Sequence, residues 1–150
     1  MRHSAFTAVY DACVLYPAPL RDFLMWLALS GRFRAKWSME IHNEWKRNLL
    51  KNRPDLTIEQ LNRTSELMDV AVPKDFPCSA LGVYDIEAQH PDEFVSNLFD
   101  LDPAAVVSAA QRQRKQLKMP PMDISTYLDL MFRQGLVQSA KTLNDYRTML

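Results

Sequence analysis

The sequence predicts an α/β domain built on a small parallel sheet, and three observations carry that expectation. A β-friendly run from Phe6 to Tyr10 gives way to helical periodicity, then to a second short alternating run from Phe33 to Trp37 and further helical periodicity. That alternation is what parallel strands need for their crossovers. Only three glycines stand beside eight methionines in 150 residues, so tight hairpins have few positions and an all-β sandwich is excluded. At 47% hydrophobic and 24% charged, the composition is that of one folded globular domain rather than a disordered or disulfide-stapled chain.

The first run ends at Asp11, an acid at the carboxyl end of a short buried strand. AlaCysValLeuTyr then leads into Pro17 and Pro19, which are expected to stop regular structure. Leu20, Phe23, Leu24, Leu27 and Ala28 recur at helical spacing with Gly31 behind them, predicting a helix over residues 19–30. Ser38 then caps a helix over 39–51, with Ile41, Trp45 and Leu49 facing inward and Glu40 in the first turn. Thr57 and Gln60 have capping-box spacing and open a helix that stops before Pro73. The proline-rich stretch 72–82 reads as loop and 83–88 as a third short strand. Pro91 and Asp102-Pro103 each start a helix, the second running to Lys118. Asp123 caps the next helix, Gly135 ends it, and Val137, Ala140 and Leu143 mark the last.

Eighteen basic and eighteen acidic residues cancel, so no whole-molecule field draws in a polyanion. Locally the balance is uneven. Residues 32–53 hold seven basic side chains against two acidic ones, a surplus of +5, whereas 85–102 hold six acids and no Lys or Arg. The basic stretch interleaves Arg34, Lys36, Lys46 and Arg47 with Phe33, Trp37 and Trp45, a composition suited to RNA phosphates and unpaired bases; the competing reading is a solvated helix flank with core aromatics. Arg112, Arg114, Lys115 and Lys118 complement a helix C-terminus. Cys13 and Cys78 have no metal or redox spacing, so a reducing cytoplasm is expected, with Cys13 as a small buried apolar residue. His3, His42 and His90 are isolated and read as solvated or hydrogen-bonded. Pro17, Pro19, Arg21 and Asp22 interrupt the longest early apolar run, and neither a signal peptide nor a membrane span is expected.

Nucleotide, acyl-transfer and thiol chemistry lack an anchor, because there is no Gly-rich phosphate loop, nucleophile elbow, HExxH or CxxC. Carboxylates remain. Asp11 sits where open α/β sheets place their ligands, and Glu40 and Glu44 lie four apart on one helix face with Asn48 a turn further on. Oxygen ligands from separate elements suit Mg²⁺ or Mn²⁺. The competing reading, which spacing alone favours, is a turn or cap acid at Asp11 and a solvated helix face at Glu40 and Glu44.

Longer strings resemble a known family. ValTyrAspAlaCysValLeuTyrProAlaProLeuArgAsp (9–22), TrpSerMetGluIleHisAsnGluTrpLysArgAsnLeu (37–49), ArgProAspLeuThr (53–57), LysAspPhePro (74–77) and GluAlaGlnHisProAspGluPhe (87–94) resemble a bacterial branch of the PIN-domain family. The resemblance implies a three-layer α/β/α domain over 1–90, with 91–150 as a C-terminal helical extension. It implies a metal-dependent, toxin-like endoribonuclease acting on RNA, with Mg²⁺ or Mn²⁺ held by Asp11, Glu44 and Asp75, and a cognate antitoxin as partner.

One departure sets this chain apart from the family pattern. Between the helix ending near Val70 and LysAspPhe, the family carries a strand, an Asp-led helix and another strand, whereas here only Ala71, Val72 and Pro73 intervene. A βαβ unit takes roughly 30 residues. The missing segment removes one acid and two strands, so the expected sheet is small and reduced. Three outcomes stay open: an inactive remnant serving as an interaction or oligomerisation module, a fold completed by a second chain, or a site in which Glu40, Asp69 or Asp85 substitutes. Unpaired strand edges favour a homo-oligomer.

Overall fold

The computed structural model describes residues 6–72, 88–117 and 121–150. Strands β1 (Phe6–Val9) and β2 (Phe33–Lys36) pair in parallel, in a register running from Phe6 opposite Phe33 to Val9 opposite Lys36. The crossover between them holds helices α1 (Ala12–Leu15) and α2 (Ala18–Ala28). Helices α3 (Met39–Asn52) and α4 (Ile58–Ala71) follow β2. Beyond them come α5 (Pro91–Leu101), α6 (Pro103–Gln116), α7 (Ile124–Arg133), α8 (Val137–Asp145) and a 3₁₀ turn, Arg147–Met149. The class is therefore mixed α/β, mostly helical, with a small parallel sheet of two strands among the described residues. The expected third strand falls mainly on residues outside the described ones, as does most of the loop before it; Ala88, at its end, has no regular structure.

The start signals act as their chemistry requires. Ser38 accepts from Ile41 N, and Thr57 and Gln60 form both bonds of a capping box at 3.2 and 2.9 Å. Gly135 closes α7 at φ +91°, a left-handed conformation that glycine adopts without a Cβ penalty. The stretch after Asp11 differs from expectation. Asp11 accepts from Val14 N at 3.2 Å and turns Ala12–Leu15 into one helical turn. Pro19 does not end regular structure either, because it occupies the first turn of α2, where a missing N–H is tolerated. Cys13, expected in the interior, is exposed on α1, since that turn buries Ala12 and Leu15 instead.

One hydrophobic cluster joins the front of the chain to its helical tail. It takes in Leu15 from α1, Phe23 and Leu27 from α2, Val95 from α5, Val106 from α6, Tyr127 from α7 and Leu143 from α8. Each fully buried large apolar side chain stabilises by roughly 1.5–3 kcal/mol relative to exposure. Phe94 of α5 meets Phe33 edge-on at 5.1 Å and Tyr10 at 6.4 Å, so α5 covers an aromatic face beside the sheet. The Tyr10 hydroxyl, on the residue that follows β1, donates to Leu24 O of α2 at 2.9 Å, and burial pushes the Tyr10 phenol well up.

Two polar chains, one buried and one partly exposed, fix how the tail sits. Tyr127 Oη donates to Gln113 Oε1 at 2.7 Å, and Gln113 Nε2 donates to Pro19 O at 2.9 Å, running from α7 through α6 to α2. The second chain begins at Asp92, in the first turn of α5. Its carboxylate accepts from Gln138 N and Ser139 N at 2.9 and 2.8 Å and from Ser139 Oγ at 2.7 Å. Leu136 offers no side-chain cap to α8, so Asp92 caps that helix from a distance. Partial desolvation opposes the charge on Asp92, but the donors from Gln138 and Ser139 outweigh it and hold its carboxyl below the usual range.

Tyr127→Phe leaves Gln113 Oε1 buried without its donor, and the expected loss is about 1–3 kcal/mol, read as a lower midpoint in urea unfolding. Asp92 gives an acid-sensitive term. Its folded pKa lies below the unfolded value of about 3.9, so its contribution is complete above that pH and disappears as pH falls through the folded pKa. Thermal melts between pH 6 and pH 2 should therefore show a steeper acid-side loss in the native protein than in Asp92→Ala, which itself costs about 1 kcal/mol at neutral pH.

Candidate functional site

The carboxyl ends of β1 and β2 feed Asp11 and Ser38, the caps of α1 and α3, so both helices start from the same edge of the sheet. Asp11 is exposed. Its Oδ1 is occupied by the cap bond, and Oδ2 makes no hydrogen bond among the described residues. Glu44 lies on the exposed face of α3, opposite the buried side formed by His42, Trp45, Lys46 and Leu49, and no ion pair engages it among the described residues. Asp75 lies outside the described residues, as does Asp85. Among the described residues, no three His, Cys, Asp or Glu side chains gather as a group able to hold a metal ion.

The basic residues divide by environment. Arg34 and Arg47 are exposed, whereas Lys36 and Lys46 are each 8% exposed. Lys46 Nζ donates to Asn62 Oδ1 at 3.0 Å and to Ser65 Oγ at 3.1 Å, fastening α3 to α4. Arg114 also serves structure: its guanidinium donates to Leu150 O at 2.7 and 3.0 Å and to Met122 O at 3.0 Å.

Sequence reasoning did not foresee the polar assembly beneath this edge. Trp45 Nε1 donates to His42 Nδ1 at 3.0 Å; His42 Nε2 lies 3.0 Å from Asp69 Oδ1, which also accepts from Trp37 Nε1 at 2.7 Å. An indole N–H only donates, so His42 Nδ1 accepts and the imidazole carries its proton on Nε2, toward the carboxylate. His42 is 1% exposed and bridges two tryptophans to α4. Asp69, weighed as a substitute acid, spends Oδ1 on two N–H donors from β2's exit and α3. The helical i, i+3 spacing of His42 and Trp45 is the local signal for half of this assembly; the Asp69 half joins residues 27 and 32 positions apart.

Residues 91–145, spanning α5 to α8, match the family model of the VapC50 C-terminal domain. This segment covers less than half of the chain. No curated protein and no solved structure matches the chain. Among the described residues, no helix is long and apolar enough to cross a membrane.

His42→Leu removes the acceptor of the buried Trp45 indole. It should lower stability by about 1–3 kcal/mol and change tryptophan fluorescence in the folded state, which equilibrium unfolding followed by intrinsic emission checks.

Proposed function

We propose that this chain is a PIN-type, toxin-like endoribonuclease that requires Mg²⁺ or Mn²⁺, with its domain over residues 1–90 and its helical extension over 91–150. The observation that carries the reading is the match of 91–145 to the VapC50 C-terminal domain, supported by the placement of Asp11 directly after β1. In this reading Asp11, through its uncommitted Oδ2, Glu44 and Asp75 would hold the ion. Hard carboxylate oxygens suit such a cation. When bound, it supplies Lewis-acid activation of water and of an RNA phosphodiester. Arg34 and Arg47, both exposed, would hold RNA phosphates; Lys36 and Lys46, the other two candidate contacts, are buried, and Lys46 is committed to Asn62 and Ser65. A cognate antitoxin is the expected protein partner, in the cytoplasm.

A second reading, a non-catalytic remnant that associates through an apolar face, is favoured by Leu67 and Val70. They stand one turn apart on α4 at 61% and 78% exposure.

Asp11→Asn separates the two readings, because Asn caps a helix about as well as Asp and the fold should be unchanged. For the nuclease, millimolar Mg²⁺ raises the Tm of the native protein but not that of Asp11→Asn, and RNA cleavage falls on the order of 100-fold or more, the equivalent of several kcal/mol of charge stabilisation. No Mg²⁺ effect and no cleavage by the native protein, with oligomers in light scattering that Val70→Glu disperses, would establish the remnant instead.

A further inference from the structure

A groove of about 540 Å³ opens between the α1–α2 junction, the end of α3 and the start of α4. Pro17, Pro19, Leu49, Leu56 and Leu61 give it largely apolar walls. Two guanidinium groups line it, those of Arg21 and Arg53, and among the described residues no carboxylate does.

Arg21 is the unusual member. It is 8% exposed, with its Cζ 4.9 Å from the centroid of the Trp45 ring. Both of its hydrogen bonds come from Nη1, to Leu15 O at 2.9 Å and Tyr16 O at 3.5 Å. Among the described residues its Nε is buried without a partner, and no ion pair involves it. Burial lowers the Arg21 pKa, an effect that neighbouring Asp22 partly offsets, yet a guanidinium stays charged at any working pH. A cation withdrawn from water with neither a carboxylate nor a full set of acceptors is costly. Nη2 makes no hydrogen bond among the described residues and, unlike Nε, is not sealed, so it is the atom of Arg21 that an anion in the groove can reach, and a charge-assisted bond there offsets the cost.

The other polar groups in the groove also offer donors. Tyr16 Oη accepts from Asn52 Nδ2 at 3.0 Å, which leaves its own hydrogen to give. Gln60 Oε1 is occupied by Thr57 N at 2.9 Å, which leaves the amide NH₂. Arg53, at the exposed rim, is steadied by Asp55 at 2.7 and 2.9 Å.

We propose that this groove is a phosphate-binding site, in which Arg21 recognises the phosphoryl group and the apolar walls take the group attached to it. Tyr16 and Gln60 donate to the remaining oxygens. The volume suits a small phosphate-bearing molecule, and the same chemistry is offered by a phosphate of an RNA backbone.

The test uses the full chain without divalent cations, so its outcome is independent of the nuclease reading. Inorganic phosphate is titrated against chloride at matched ionic strength while the arginine Nε–H resonances are followed by NMR. The expected result is a saturable shift of the Arg21 Nε–H signal, which reports on the whole guanidinium, with Arg21→Lys binding phosphate about 10-fold more weakly because one ammonium cannot both hold the Leu15 and Tyr16 carbonyls and present a donor to the groove. A single-stranded oligoribonucleotide then separates the sources: competition with phosphate for the shift assigns an RNA backbone, and no competition assigns a small phosphate-bearing ligand. An Arg21 signal that phosphate and RNA both leave unmoved overturns the proposal, as does equal phosphate affinity in Arg21→Lys. The shift in the native protein decides the matter even if that variant does not fold.

Discussion

Four residue pairs hold β1 to β2, and a parallel sheet this small buries neither of its faces without help. The dependence of the sheet on its helices is the constraint that organises the rest of the molecule. Parallel pairing demands a crossover, and α1 and α2 supply it. Helix α2 then becomes a wall shared by the sheet and the tail: Tyr10 reaches it from β1, and Gln113 reaches its first turn from α6. The tail is therefore part of the structural unit that keeps the strands covered. Losing it would uncover the side of α2 that packs on α6 and α7, and the face of Phe33 that meets Phe94.

Beside isolated pairs such as Tyr10 with Leu24 O, several polar groups withdrawn from water in this core are matched in chains. Tyr127, Gln113 and Pro19 form one; Trp45, His42, Asp69 and Trp37 form another. Each member is positioned by the hydrogen-bonding capacity of the next, because an unmet donor or acceptor in the interior costs more than a met one contributes. Such chains specify one arrangement of helices among many that would bury similar apolar area. Among the described residues, Arg21 Nε and Gln134 Oε1 are buried without a match, and of the two only Arg21 carries a charge.

Much of the fold was legible residue by residue. Ser38, Thr57 with Gln60, Asp102 and Asp123 each announced a helix start that the structure realises, since caps act within three or four residues of the chain. The turn after Asp11 was not legible. Its helical character comes from one cap bond and from burial of Ala12 and Leu15 against later helices, while the prolines beyond it argued for irregular chain. The exposure of Cys13 follows from the same turn. At the candidate site, the position of Asp11 after a strand and of Glu44 on a helix could be read from spacing, and both side chains are exposed in the fold.

Local chemistry was enough to set the class of fold, the order of elements and the ends of most helices, because propensity, periodicity and capping operate over a few residues. It could not say that Lys46 is withdrawn between Asn62 and Ser65 while Arg47 faces solvent, or that Asp69 is drawn to His42 and Trp37. Nor could it show that Asp92 would cap a helix 46 residues away. Those assignments depend on which helix faces meet, and that is settled by cooperative burial across the whole chain, where each contact is favourable only once its neighbours are in place.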